Sequence, residues 1–235
     1  MRGRRGWQLD PLRVRALVED MRPVIEGQTG ARFTALRRGP CGSEGCIFYA
    51  RHARYGPVVL KVGYRPYWTM RGDRTDFEAG ALMVGSQPLG VVRTYGVWQS
   101  RRTKAYALLR ERVHQDWGRF RRERSVQAGA FWRAMGRIYL YGVDHAKACR
   151  KGSRVVWPRR GLRQEVVAAG FGPVLAGLEA MRRRGICAGA DLHEGNLGWR
   201  RGPAGRPEVV ILDLGFSGPK PGRDAWPRPS LASFR

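Results

Sequence analysis

The sequence predicts an α+β protein in which a strand-rich first part is followed by a mainly helical second part. Three observations carry that prediction. Between residues 33 and 109, five short apolar runs rich in β-branched and aromatic residues alternate with turn-forming stretches and one helical segment. Beyond residue 125, apolar side chains recur at helical spacing in two long stretches. Leu197-Gly198-Trp199 and Val209-Val210-Ile211-Leu212 then read as two short buried strands around a turn from Arg200 to Glu208. A hydrophobic content of 43% in 235 residues suffices for a real core in one or two domains and excludes a disordered chain.

Taken in order, Asp10-Pro11 is a helix start, with Asp as N-cap and Pro in the first turn. Leu12, Val14, Leu17, Val18, Met21, Val24 and Ile25 follow at helical spacing, and Gly27 and Gly30 stop the helix. With the basic arm before it, this forms a first unit, 1–31, packed on the outside of the next. Residues 32–110 form the second unit. Its strands are Phe33–Leu36, Cys46–Ala50, Val58–Val62, Val91–Trp98 and Ala105–Leu109, with a helix from Thr75 to Val84. The loop between the first two carries Gly39, Gly42 and Gly45, either a plain hairpin loop or one whose N–H groups approach phosphate.

The stretch from Arg110 to Arg124, at the start of the third unit (111–235), carries six arginines beside Trp117 and Phe120 and reads as a linker or a partner-binding strip. A helix is expected from Ser125 to Tyr141, with Val126, Phe131, Met135 and Ile138 near one face. Residues 147–163 hold seven basic residues around Trp157, a charged loop or a docking strip for an acidic segment or nucleic acid. Pro173 opens a last helix through Val174, Leu175, Leu178 and Met181, which Gly185 ends.

The net charge is +25, with 39 arginines among the 44 basic residues. Such a field attracts nucleic acid and acidic proteins and repels cationic small molecules. Cys41, Cys46, Cys149 and Cys187 show neither C-x-x-C spacing nor paired histidines, so free thiols are expected. No apolar run is long enough to span a bilayer, and Met1–Arg5 leads into no signal-peptide core. The expected location is the cytoplasm, with no membrane partner.

The chemistry concentrates in Asp191-Leu192-His193-Glu194-Gly195-Asn196, followed by Ile211-Leu212-Asp213-Leu214-Gly215. Phosphoryl transfer to a hydroxyl needs this set: one carboxylate to orient and deprotonate the acceptor, an amide oxygen and a second carboxylate to hold magnesium. A hairpin between the two segments brings Asn196 and Asp213 together at its open end. Upstream, Lys61 interrupts a β-branched apolar run, where an ammonium needs a partner unless it snorkels from an edge strand. Glu78 on the following helix offers one, with Asp73 and Asp76 as competitors.

These motifs resemble the catalytic and metal-binding loops of the protein-kinase-like superfamily, which includes the aminoglycoside and choline phosphotransferases. Lys61-Val62-Gly63-Tyr64, the D-hydrophobic-H-x-G-N loop and the early end after Asp213 are most similar to the compact serine/threonine kinases of small lytic bacteriophages. The resemblance covers roughly residues 33–217. It implies a two-lobed protein-kinase-like fold, with a five-stranded antiparallel small lobe and a reduced, mainly helical large lobe. The implied cofactors are ATP and Mg2+, and the implied partners are host protein substrates.

Residue by residue, the resemblance implies that Asp191 is the catalytic base and that Asn196 and Asp213 bind magnesium. It implies that Lys61 holds the α/β-phosphates, Glu78 positions Lys61 and His193 lies near the γ-phosphate. It likewise implies that Gly42 and Gly45 belong to the nucleotide loop, although the spacing is G-x-x-G-x-x-G rather than G-x-G-x-x-G, and that Glu111 and Val113 form a hinge whose backbone meets the adenine. The chain departs from eukaryotic kinases in lacking room for a long activation segment and in carrying Ala190 where they have arginine. Two other readings share these residues. One is a small-molecule phosphotransferase, against which the positive field argues. The other is a non-catalytic kinase-fold protein whose basic surface binds nucleic acid or a host complex.

Overall fold

The computed structural model describes residues 11–41, 45–64, 73–74, 76–86, 88–100, 105–153, 160–189, 191–214, 216–217 and 232–233. Helix α1 spans Pro11–Thr29 and is followed by β1 (Phe33–Cys41), β2 (Cys46–His52) and β3 (Gly56–Tyr64). The two-residue β4 (Asp73–Arg74) precedes α2 (Asp76–Met83), β5 (Thr94–Gln99) and β6 (Ala105–Glu111). Five antiparallel strands lie in the order β1-β2-β3-β6-β5, as the α+β reading requires. Helices α3 (Trp117–Arg124), α4 (Ala128–Arg150), α5 (Arg160–Val166) and α6 (Gly172–Arg183) follow. The hairpin β7 (Leu197–Arg201) and β8 (Pro207–Ile211) comes next. Finally β9 (Phe216–Ser217) pairs with β4, and β10 (Ala232–Ser233) adds parallel to β5. No helix among the described residues is long and apolar enough to cross a membrane.

Side-chain alternation gives the main sheet two faces with different tasks. Phe48, Leu60, Val62, Ala107, Leu109 and Trp98 pack against Val14, Leu17, Val18, Met21 and Ile25 of α1 in one apolar core. The helix runs through Gly27 and ends at Gly30, whose φ of 68° no β-branched or bulky residue adopts comfortably. His52 stitches α1 to the sheet. Its Nδ1 accepts from the Arg54 N–H, so its Nε2–H donates to the Thr29 hydroxyl at 2.9 Å. The opposite face carries the row Ile47, Lys61, Leu108 and Val97, each paired in register with the next. Helix α2 lies on this second face: a Cβ on Gly80 would stand 2.7 Å from Leu108 Cδ1.

A second core gathers α2, the later helices and the hairpin around Trp117, Phe120, Phe131, Phe171 and Trp199. Their rings stand 5.4–5.8 Å apart, tilted or edge-on, the geometry that the aromatic quadrupole favours.

Several expectations are corrected. Strand β1 continues through Gly39 to Cys41, so Gly39 belongs to the strand; Gly42 lies outside the described residues. Val91 and Val92 do not begin β5. Gly90, at φ 73°, turns them onto β8: Val92 N donates to Ile211 O at 3.0 Å and Ile211 N to Gly90 O at 2.9 Å. The stretch read as a linker contains α3, whose Asp116 N-cap accepts from Arg119 N and which ends at Ser125 in a left-handed conformation. Helix α4 starts at Ala128 and passes Gly142 to reach Arg150, because that glycine is needed for contact rather than termination. Its last turn and α5 take up much of the expected basic loop; residues 154–159 lie outside the description.

The free-thiol expectation is overturned. Cys41 and Cys46 are cross-strand partners and form one disulfide, and Cys149 on α4 forms the other with Cys187. Neither pair is visible as a spacing motif because tertiary contact, not sequence interval, sets the partner.

Candidate active site

A cavity of about 580 Å³ opens between the second face of the sheet and the hairpin, within the size range of small-molecule sites. Ile47, Val59, Val92, Leu108 and Leu212 give it apolar walls, while Lys61, Asp191, His193, Asn196 and Asp213 supply its polar side. The same alternation that buries Leu60 and Val62 against α1 turns Lys61 into this cavity. There its Nζ lies 3.5 Å from Asp213 Oδ2, the two side chains 16% and 33% exposed. An ammonium in an apolar strand therefore meets a carboxylate delivered from the other core. Glu78 lies on α2, which covers this face, but its side chain is outside the described set.

The hairpin register places the rest. Leu197 pairs with Ile211, and Leu212 N donates to Asn196 O at 2.9 Å, so Asn196 and Asp213 stand at adjoining positions of the open end. Asn196 Nδ2 donates to Asp191 O at 3.0 Å and to Asp191 Oδ2 at 3.1 Å. His193 Nδ1 accepts from Gly195 N at 3.0 Å, which leaves the proton on Nε2, 3.7 Å from Asp191 Oδ2. This close polar loop holds the Asp191 carboxylate while its side chain stays 70% exposed.

The donor set fits a hard divalent cation. With its amide nitrogen turned to Asp191, Asn196 has its carbonyl oxygen to offer beside the Asp213 carboxylate. Magnesium takes few protein oxygens and leaves its other positions to water and phosphate. No cluster of three or more His, Cys, Asp or Glu suited to a metal occurs among the described residues.

Both residues of the expected hinge, Glu111 and Val113, line the cavity. At Val113 the chain crosses the hairpin closely: a Cβ on Gly198 would stand 2.5 Å from Val113 Cγ2. Glu111 acts as a strut. Its N–H donates to Arg93 O, its carboxylate accepts from Arg93 N at 2.7 Å and it pairs with Arg200, which also binds Glu208 at 2.7 Å. Gly45 lines the cavity too, but what requires glycine is the 2.5 Å approach of a Cβ to Val62 O.

Sequence reading missed the residues that brace the site. Gln115 Nε2 donates to Gly195 O and Leu197 O, and Arg110 Nη1 donates to Leu212 O at 2.5 Å. Helix α4 supports the segment leading to Asp191 through Gly142, His145 and Cys149, spaced i, i+3, i+7 along one face. A Cβ on Gly142 would stand 2.3 Å from Gly189 O, His145 Nδ1 lies 3.2 Å from Ala188 O, and Cys149 bonds Cys187. Burial depresses the His145 pKa against the opposing backbone hydrogen bond to Ala188. The uncharged i, i+3, i+7 face of the helix was the signal that could have found this seam.

No protein-family model matches the chain, and no curated protein matches it.

Proposed function

We propose that the chain is a Mg-ATP-dependent phosphotransferase of the protein-kinase-like type, acting on serine or threonine hydroxyls of host proteins. The carrying observation is a convergence in one 580 Å³ cavity: the Lys61–Asp213 ion pair joins sheet to hairpin beside the Asp191–Asn196 pair. The two-lobed protein-kinase-like description, with a five-stranded small lobe and a reduced large lobe, belongs to this proposal. So does work in a host cytoplasm.

In this reading the apolar walls take the adenine and Lys61 neutralises the α/β-phosphates. Asp191, steadied on one oxygen by Asn196, orients the acceptor hydroxyl and takes its proton as the new P–O bond forms and the bond from the γ-phosphorus to the bridging oxygen breaks, releasing ADP. His193, with Nε2–H toward Asp191, would lie near the γ-phosphate. Asn196 and Asp213 would hold magnesium, which supplies charge neutralisation across the transferring phosphates. A carboxylate that is 70% exposed can be reached by a hydroxyl on a large surface, and a +25 field favours acidic proteins over cationic small acceptors.

The test is transfer of γ-labelled phosphate from Mg-ATP to bacterial lysate proteins, beside Asp191→Ala and Asp213→Ala. Labelled serine or threonine that disappears in both variants supports the proposal. ATP turnover only with added small hydroxyl compounds would assign the small-molecule enzyme. No transfer from folded protein, with salt-sensitive RNA or DNA binding, would assign the non-catalytic reading.

A further inference from the structure

We infer that α4 carries a docking surface for an acidic amphipathic helix of a partner protein, separate from the cavity and independent of phosphoryl transfer. Along α4, Trp132, Gly136, Tyr139, Leu140 and Val143 fall at i, i+4, i+7, i+8 and i+11, which places them on one flank of the helix. Phe131, Met135 and Ile138 fill the core from another flank, so this stripe is surplus to folding. Trp132 is 47% exposed, Tyr139 40% and Leu140 63%, three of the large exposed apolar side chains among the described residues. Val143 is half-buried, and a Cβ on Gly136 would meet nothing within 4 Å. The stripe is thus a strip about 17 Å long with a notch at Gly136.

The surface is also pre-ordered. The Trp132 ring stands edge-on to Phe131 at 5.0 Å, so little rotamer freedom remains to be lost on binding. Exposed aromatic and aliphatic side chains in a contiguous row mark an interaction site rather than scattered surface apolarity.

Charge selects the occupant. Helix α4 carries Arg133, Arg137, Lys147 and Arg150 against one acid, Asp144. Arg137 pairs with Glu165 and Lys147 lies 3.9 Å from Asp144, while Arg133 and Arg150 have no carboxylate partner among the described residues. A second copy of a +25 chain would bring these cations face to face, which the field opposes. A nucleic acid would find phosphate partners in the arginines but nothing in Leu140, Val143 or the Gly136 notch. A helix with apolar residues at i, i+4 and i+7 and glutamates on its flanks satisfies both the stripe and the rim.

The probe is a fluorescein-labelled 18-residue peptide with leucines at i, i+4, i+7 and i+11, glutamates on both sides and no hydroxyl side chains, followed by fluorescence anisotropy. Saturable binding in the range of about 1–100 µM is expected. The charge-neutral double variant Trp132→Ala/Leu140→Ala should weaken it at least about tenfold, since two large apolar contacts are lost. It should still unfold cooperatively, and its ATP affinity should not change. A scrambled peptide of equal composition that binds as well would overturn the proposal, leaving only general electrostatics. So would absence of binding to the wild-type chain. Single-stranded RNA binding that the double variant weakens would assign the strip to nucleic acid instead. A dimer in sedimentation that the variant dissolves would assign it to a second copy.

Discussion

Gly142→Ala is the perturbation that most directly tests how the candidate site is held. The added methyl would lie 2.3 Å from Gly189 O and 2.7 Å from Leu192 Cδ1. Leucine can rotate, but the carbonyl belongs to the backbone leading to Asp191, and the Cys149–Cys187 bond tethers that segment to the same helix. An ordinary C···O contact is about 3.3 Å, so the segment must retreat by about 1 Å. Overpacking of this kind costs about 1–3 kcal/mol. For a chain of this size each kcal/mol lowers the melting temperature by about 2–4 °C, so a cost of about 2 kcal/mol predicts a fall of about 4–8 °C. On the proposed function, a displacement of that size beside the Asp191 carboxylate predicts a loss in phosphotransfer on the order of a hundredfold. The control is Gly136→Ala on the same helix, where a Cβ meets nothing within 4 Å. There the better helix propensity of alanine predicts a gain of about 0.5–1 kcal/mol. Calorimetry of the two variants decides it. If Gly142→Ala melts with Gly136→Ala or with the wild type, the close packing of α4 against the Asp191 segment is wrong.

Two further outcomes concern the same seam. Burial depresses the pKa of His145 in the folded chain, with Arg182 also opposing its charge and Ala188 and Glu179 acting the other way. Below the unfolded value of about 6.5 the unfolded chain binds a proton that the folded chain refuses, so stability falls as pH drops from there toward the depressed folded value. His145→Asn, whose amide can still donate to Ala188 O, should flatten that acid loss in urea unfolding at pH 7.5 and 5.5; an equal loss in both proteins would remove His145 as the cause. Cys149→Ser opens a loop of 38 residues, which the chain-entropy account values at about 4 kcal/mol. In non-reducing buffer the variant should therefore melt about 8–16 °C below the wild type. Under dithiothreitol the gap should close; a gap that persists there would mean the serine, not the open bond, does the damage.

How much of this was legible in sequence follows from how local each signal is. Period-2 alternation and turn residues located β2, β3, β6 and the β7–β8 hairpin, because strand patterning is written in consecutive side chains. The hairpin in turn placed Asn196 next to Asp213, since a register needs only the two strands and their turn. The anomaly of Lys61 in an apolar run said that a partner was required and pointed to Glu78, with Asp73 and Asp76 as competitors; Asp213, 152 residues away and 3.5 Å from the ammonium, comes from the other core.

Long-range contact decided the rest. Val91 and Val92 have strand-forming side chains whichever strand they join, and it is Gly90 at positive φ that delivers them to β8 instead of β5. Gly142 reads as a helix stop by propensity, yet stays helical because only a residue without Cβ lets α4 touch Gly189. The four cysteines carried no pairing information, since a disulfide needs only two Cβ atoms within reach and sequence spacing does not report that distance. The sequence by itself determined the secondary-structure class, the charge and the residues able to do chemistry. Only the tertiary structure decided which faces meet, because the free energy of packing depends on atoms far apart in the chain.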